Sequence, residues 1–137
     1  MPTSALNTYN AAADKLQPYM DPEQAREIQV QLGNSLTLAK GTLLGEVTAT
    51  PGVFAAYNNA NSNGTEVARV ILAYSVTTDG SGNITIANEL GVTRKSCPAY
   101  RKGIFATGDL TGLDAAGVTD LGRLVMGTTS SGILSVY

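Results

Sequence analysis

From Glu27 to Leu32 apolar and polar residues alternate singly, with Ile28, Val30 and Leu32 on one side and Glu27, Gln29 and Gln31 on the other. That is the two-residue period of a strand with one buried face. Continuation of an upstream helix is the competing reading; the β-branched Ile28 and Val30 favour the strand. Short apolar runs of this kind recur down the chain. Leu36 to Leu38 and Thr42 to Thr48 predict strands around Gly41 and Gly45, where a bend or bulge is expected to interrupt pairing. Thr50-Pro51-Gly52 predicts a turn into a strand from Val53 to Tyr57, followed by a polar loop from Asn58 to Gly64 with Asn63-Gly64 as its tightest turn. Val67 to Val76 is the most apolar run, and the unbroken Val70-Ile71-Leu72-Ala73 predicts a strand covered on both faces at the centre of the core. Thr78 to Asn83 reads as a hairpin loop into Ile84 to Ile86. Strand character resumes at Ser96 to Tyr100 and at Ile104 to Ala106, one helical turn is expected near Leu113 to Ala116, and Arg123 to Met126 with Ile133 to Val136 form a closing hairpin.

The stretch ahead of this series is different. Ala5, Leu6, Tyr9, Ala12, Ala13 and Leu16 follow a loose three-and-four spacing that predicts a short amphipathic helix ending before Pro18. Asp21 as N-cap, Pro22 at the first helical position and Gln24 three residues after the cap mark a second helix start. Residues 1–33 are therefore read as an N-terminal arm, flexible when free, and residues 34–137 as a β-rich module. The expected fold class is mainly β: a small sandwich or barrel with minor helix and an extended arm. A strand on such an arm can pair within its own module or add to the sheet edge of a neighbour.

Composition narrows the chemistry. The 137 residues suit one domain with a modest core. A net charge of -2, low aromatic content and no Trp argue against a nucleic-acid partner. The chain has no His, which removes the usual neutral-pH general base and the commonest metal ligand. Cys97, the single cysteine, has no partner for an intrachain disulfide and reads as a small buried hydrophobe, consistent with folding in a reducing cytoplasm. A basic start followed by an apolar stretch is missing, and no window of about 18 apolar residues is present, so neither an export signal nor a membrane contact is expected.

Asp79-Gly80-Ser81-Gly82-Asn83 spaces oxygen atoms like part of a calcium loop but lacks the closing Glu, and reads as a hairpin turn. Asn63-Gly64-Thr65 matches a glycosylation sequon and reads as a turn. Asp109, Asp114 and Asp120 are too dispersed for a carboxylate pair and suit turns and caps. No catalytic residue, metal ligand or cofactor is assigned, and an enzyme is not expected. Arg94, Lys95, Arg101 and Lys102 concentrate four of the nine basic residues in one short stretch, either a solvated face or an electrostatic contact with an acidic protein surface.

Taken in order, several segments resemble the lambda-type head decoration proteins of tailed bacteriophages. They are Gly41-Thr42-Leu43-Leu44-Gly45-Glu46-Val47-Thr48, Gly52 to Tyr57, Val67-Ala68-Arg69-Val70-Ile71-Leu72, Ala99-Tyr100-Arg101-Lys102-Gly103-Ile104-Phe105 with Asp109-Leu110, and Gly132-Ile133-Leu134-Ser135-Val136. The resemblance implies a β-rich homotrimer that binds the major capsid protein at three-fold positions of the expanded head. It implies assembly in the host cytoplasm and a final place on the capsid exterior of the virion. It also implies an N-terminal segment that orders by adding to the capsid protein's sheet, with contacts placed at Ile28, Val30, Leu32 and Leu36. The alternative is a receptor- or glycan-binding module on a virion or cell surface, acting through the loops near Asn58 to Thr65.

Overall fold

The computed structural model describes residues 15–16, 25–87, 89, 91–125 and 133–136. The chain is mainly β, as its alternations predict. Among the described residues the strands are β1 (Arg26–Leu32), β2 (Thr37–Leu38), β3 (Leu43–Glu46), β4 (Val53–Ala56), β5 (Val70–Leu72), β6 (Val76–Thr78), β7 (Ile84–Ile86) and β8 (Cys97–Ala106). A 3-10 turn at Thr107–Asp109 follows, then helix α1 (Ala115–Leu121) and a hairpin of β9 (Gly122–Val125) and β10 (Ile133–Val136).

The main ladder closes on itself. β1 pairs in parallel with β4, β4 with β3, β3 with β5, β5 with β8, and β8 antiparallel with β1. Closure removes the exposed edges that an open sheet of such short strands would carry. β8 is long enough for two tasks: its first half completes the ring and its second half pairs with β10. β2, β6 and β7 form a separate three-stranded sheet.

Successive residues of a strand point to opposite faces, and here both faces of β3, β5 and β8 are covered. Leu44, Val70, Leu72, Cys97 and Ala99 join one core, shared with β1 and the three-stranded sheet. Leu43, Ile71, Tyr100 and Phe105 join a second, closed by Leu121 of α1, Val136 of β10 and Leu16 of the leader. Double coverage is why Val70 to Ala73 is apolar without a break, as expected from sequence.

Several expectations are corrected. The strand at Glu27 to Leu32 exists as β1, but it is part of the ring: Val30 and Leu32 are only 2% and 3% exposed in the first core. The arm boundary at Gly33 therefore falls inside the module. The run Val67 to Val76 is two strands in two sheets, because the chain leaves the ring at Ala73 and enters the small sheet at Val76. Pairing continues through Gly45, which sits opposite Ala55. A side chain at Gly45 is excluded because its Cβ would lie 2.6 Å from the Thr65 Cα, so this glycine marks a close approach of two backbones rather than a bulge. Strand character from Cys97 to Ala106 is continuous as β8, and the helix sits slightly later than expected. The predicted helix from Ser4 to Gln17, apart from Lys15 and Leu16, and the helix start at Asp21 and Pro22 lie outside the described residues.

Candidate functional site

The four residues proposed for docking do not form a free arm. Val30 and Leu32 are interior, while Ile28 and Leu36 are half-buried against the same core. Leu36 is further tied by its backbone N–H, which donates to the Thr78 hydroxyl at 2.8 Å. β1 pairs through Arg26 to Val30 with β8 and through Gln31 and Leu32 with β4, so the strand is held within its own sheet.

The described part of the leader is itself anchored. Leu16 is 3% exposed; its N–H donates to the Ala73 carbonyl at 2.8 Å and its carbonyl accepts from the Tyr100 hydroxyl at 2.8 Å. Beside it the Lys15 ammonium lies 5.8 and 5.7 Å from the ring centroids of Tyr74 and Tyr100 and is paired with Glu27. A single leucine in a loose amphipathic pattern carried no signal that it seats in the core.

The basic residues separate into two pairs. Arg94 forms two bonds to the Glu89 carboxylate, at 2.7 and 2.9 Å, and exchanges backbone bonds with Ile84 of β7, while Lys95 donates to the Asn83 side chain. Arg101 and Lys102 lie further along β8; Cys97 to Arg101 alone spans about 13 Å of strand. There Arg26 faces Lys102 and Glu27 faces Tyr100, so Arg101 is the extra residue of a β-bulge. The bulge leaves Arg101 and Lys102 both exposed, breaking the alternation of β8.

Bulged Arg101 borders an open cavity of about 410 Å³, with Ile28, Phe54 and Val70 as apolar lining and Arg69, Glu46 and Asp120 as the charged groups. Neither Arg26 nor Arg69 was singled out by sequence, since each stands alone in the chain and only strand register brings it near the bulge. A second hollow of about 600 Å³, toward the C-terminal end of β1, is lined by polar groups including Gln31, Asn34, Thr50, Ser81 and Lys95.

The remaining candidate groups have structural partners. Asp79 accepts from the backbone N–H groups of Ser81 and Asn83 at 2.8 and 2.9 Å and from the Asn83 amide at 2.9 Å, the bonding of a turn. Its carboxyl is held below the usual range, first by the Asn83 side chain. Asp114 caps α1 by accepting from the Gly117 N–H at 2.7 Å and also accepts from the Tyr57 hydroxyl at 2.7 Å. Burial, and then that bond, push the Tyr57 phenol up to about 12, while the same bond leads in lowering the Asp114 carboxyl. Asp120 accepts from the Ala68 N–H at 3.0 Å. Burial pushes the Cys97 thiol up to about 12, which disfavours the reactive thiolate. In the polar loop, Asn61 donates to the Thr65 hydroxyl, which donates in turn to Asn63, and Thr65 is buried. These loop polar groups are partnered internally.

Among the described residues no group of three or more Cys, Asp or Glu could hold a metal ion, and no helix is long and apolar enough to cross a membrane. No protein-family model, curated protein or solved structure matches this chain.

Proposed function

We propose that this protein is a structural module that decorates a viral capsid, binding the expanded head as a homotrimer at three-fold positions and clamping neighbouring capsid subunits. The observation that carries this reading is that Asp79, Asp114 and Cys97 serve turn, cap and core roles of a small doubly packed β body. A body of this kind suits a rigid clamp. The ordered resemblance of Gly41 to Thr48, Val67 to Leu72 and Ala99 to Phe105 to the phage head decoration proteins supplies the partner. A closed trimer presents three docking segments at once, so modest single affinities reinforce one another through effective concentration. With β1 in the module and Leu16 seated in its core, this reading assigns docking to residues 1–14 rather than to Ile28, Val30, Leu32 and Leu36.

Co-sedimentation with expanded, decoration-free capsid shells tests the reading. The full chain is expected to bind saturably, and a variant lacking residues 1–14, which keeps Leu16, to bind weakly while melting as the full chain does. Absence of binding by the full chain refutes capsid decoration; undiminished binding by the shortened chain removes residues 1–14 from docking.

A further inference from the structure

We propose that the cavity beside the β8 bulge is a docking cleft for an acidic segment of a partner protein, one that places an apolar side chain between carboxylates. The apolar lining is Ile28, Phe54 and Val70, and Arg69 and Arg101 stand at its border. Register adds Arg26 and Lys102, which lie directly opposite each other across β1 and β8. Like charges in that relation repel, a cost that an anionic partner relieves. All four cations are exposed, and the ion pairs among the described residues, Lys15 with Glu27 and Arg94 with Glu89, include none of them. Their concentration runs against the chain's net charge of -2.

Two carboxylates also line the cleft, and they favour a peptide over a phosphate. Glu46 accepts from the Gly52 N–H through Oε2, and Asp120 accepts from the Ala68 N–H through Oδ2. The second oxygen of each remains to accept a bond from a ligand. A peptide segment has backbone N–H donors for these oxygens as well as carboxylates for Arg69 and Arg101, whereas a phosphodiester has no donor to offer them. At about 410 Å³ the cleft lies in the range that holds a few side chains. Its occupant need not be a capsid protein.

Fluorescence anisotropy on the full chain tests the cleft. The probes are labelled peptides with Glu or Asp at alternate positions around one Leu, matched peptides with Gln and Asn instead, and an oligothymidylate. Acidic peptides are expected to bind in a salt-sensitive manner, with the double variant Arg69→Gln/Arg101→Gln weaker by about tenfold or more. Both arginines are exposed, so its melting temperature should match that of the parent, and Arg94→Gln should bind normally. Equal binding of the neutral peptides, no binding of the acidic ones, or unchanged affinity in the double variant overturns the proposal. Tighter binding of the oligothymidylate overturns it in favour of a phosphate site.

Discussion

Replacing Leu16 by Ala tests whether the leader is part of the folded body. The substitution keeps the backbone bonds to Ala73 and Tyr100 and deletes side-chain carbons from a position that is 3% exposed, in a core shared with Leu43, Ile71 and Phe105. Truncating a buried leucine costs about 2–5 kcal/mol, from lost transfer energy and the cavity left behind. With an unfolding entropy near 2 cal/mol/K per residue, each kcal/mol lowers the melting temperature of a chain this size by about 3–5 °C. A loss of about 3 kcal/mol therefore predicts a drop of about 10 °C by calorimetry or circular dichroism. Tyr100→Phe removes the hydroxyl that donates to the Leu16 carbonyl and should cost about 1–2 kcal/mol. Because both changes act through one seated segment, the double variant should lose less than the two singles added together. A change below about 2 °C for Leu16→Ala, with Tyr100→Phe equally silent, would refute the seating of the leader.

Val30→Asp distinguishes a barrel strand from a free arm: an unpaired carboxylate in the first core should destabilise the isolated protein by about 4 kcal/mol or more. Unchanged melting with loss of partner binding would return Ile28 to Leu32 to the arm. The Tyr57–Asp114 bond predicts a pH signature. The Asp114 carboxyl lies below its ordinary 3.8 in the folded protein, so its stabilising contribution is present above that value and is lost as pH falls through the lowered one. Tyr57 is raised from 10.0 to about 12, so its contribution is full below 10.0 and disappears as pH rises to about 12. The excess stability of the parent over Tyr57→Phe, measured by thermal melts, should therefore shrink at both extremes; a constant difference across pH contradicts this.

Much of the secondary structure was legible because it is local. Single alternation marked β1, Asn63-Gly64 and Asp79 to Asn83 marked turns, and an apolar run without polar interruption marked a strand covered on both faces. Asp114 is a helix cap, as expected for a dispersed acid, whereas Asp120 lies within α1 and holds the Ala68 N–H, a role that only tertiary structure assigns. In each local case backbone geometry or burial acts on neighbours in sequence, so the signal survives without knowledge of the fold.

Pairing was not legible. Alternation says that one face of Ile28 to Leu32 is buried but not against what, and the same pattern serves an arm on a neighbour's sheet or a stave in its own barrel. Contacts with β4 and β8, distant in sequence, decide it. The same holds for the charges. Arg94, Lys95, Arg101 and Lys102 form one cluster along the chain and two pairs in space, while Arg26 and Arg69 approach Arg101 through strand register and the bulge. The amino-acid pattern by itself determined a mainly β protein with turns and caps at particular residues. Tertiary structure alone decided that the first strand closes a ring, that Leu16 seats in its core, and which cations gather beside the bulge, because each depends on which distant strands meet and in what register.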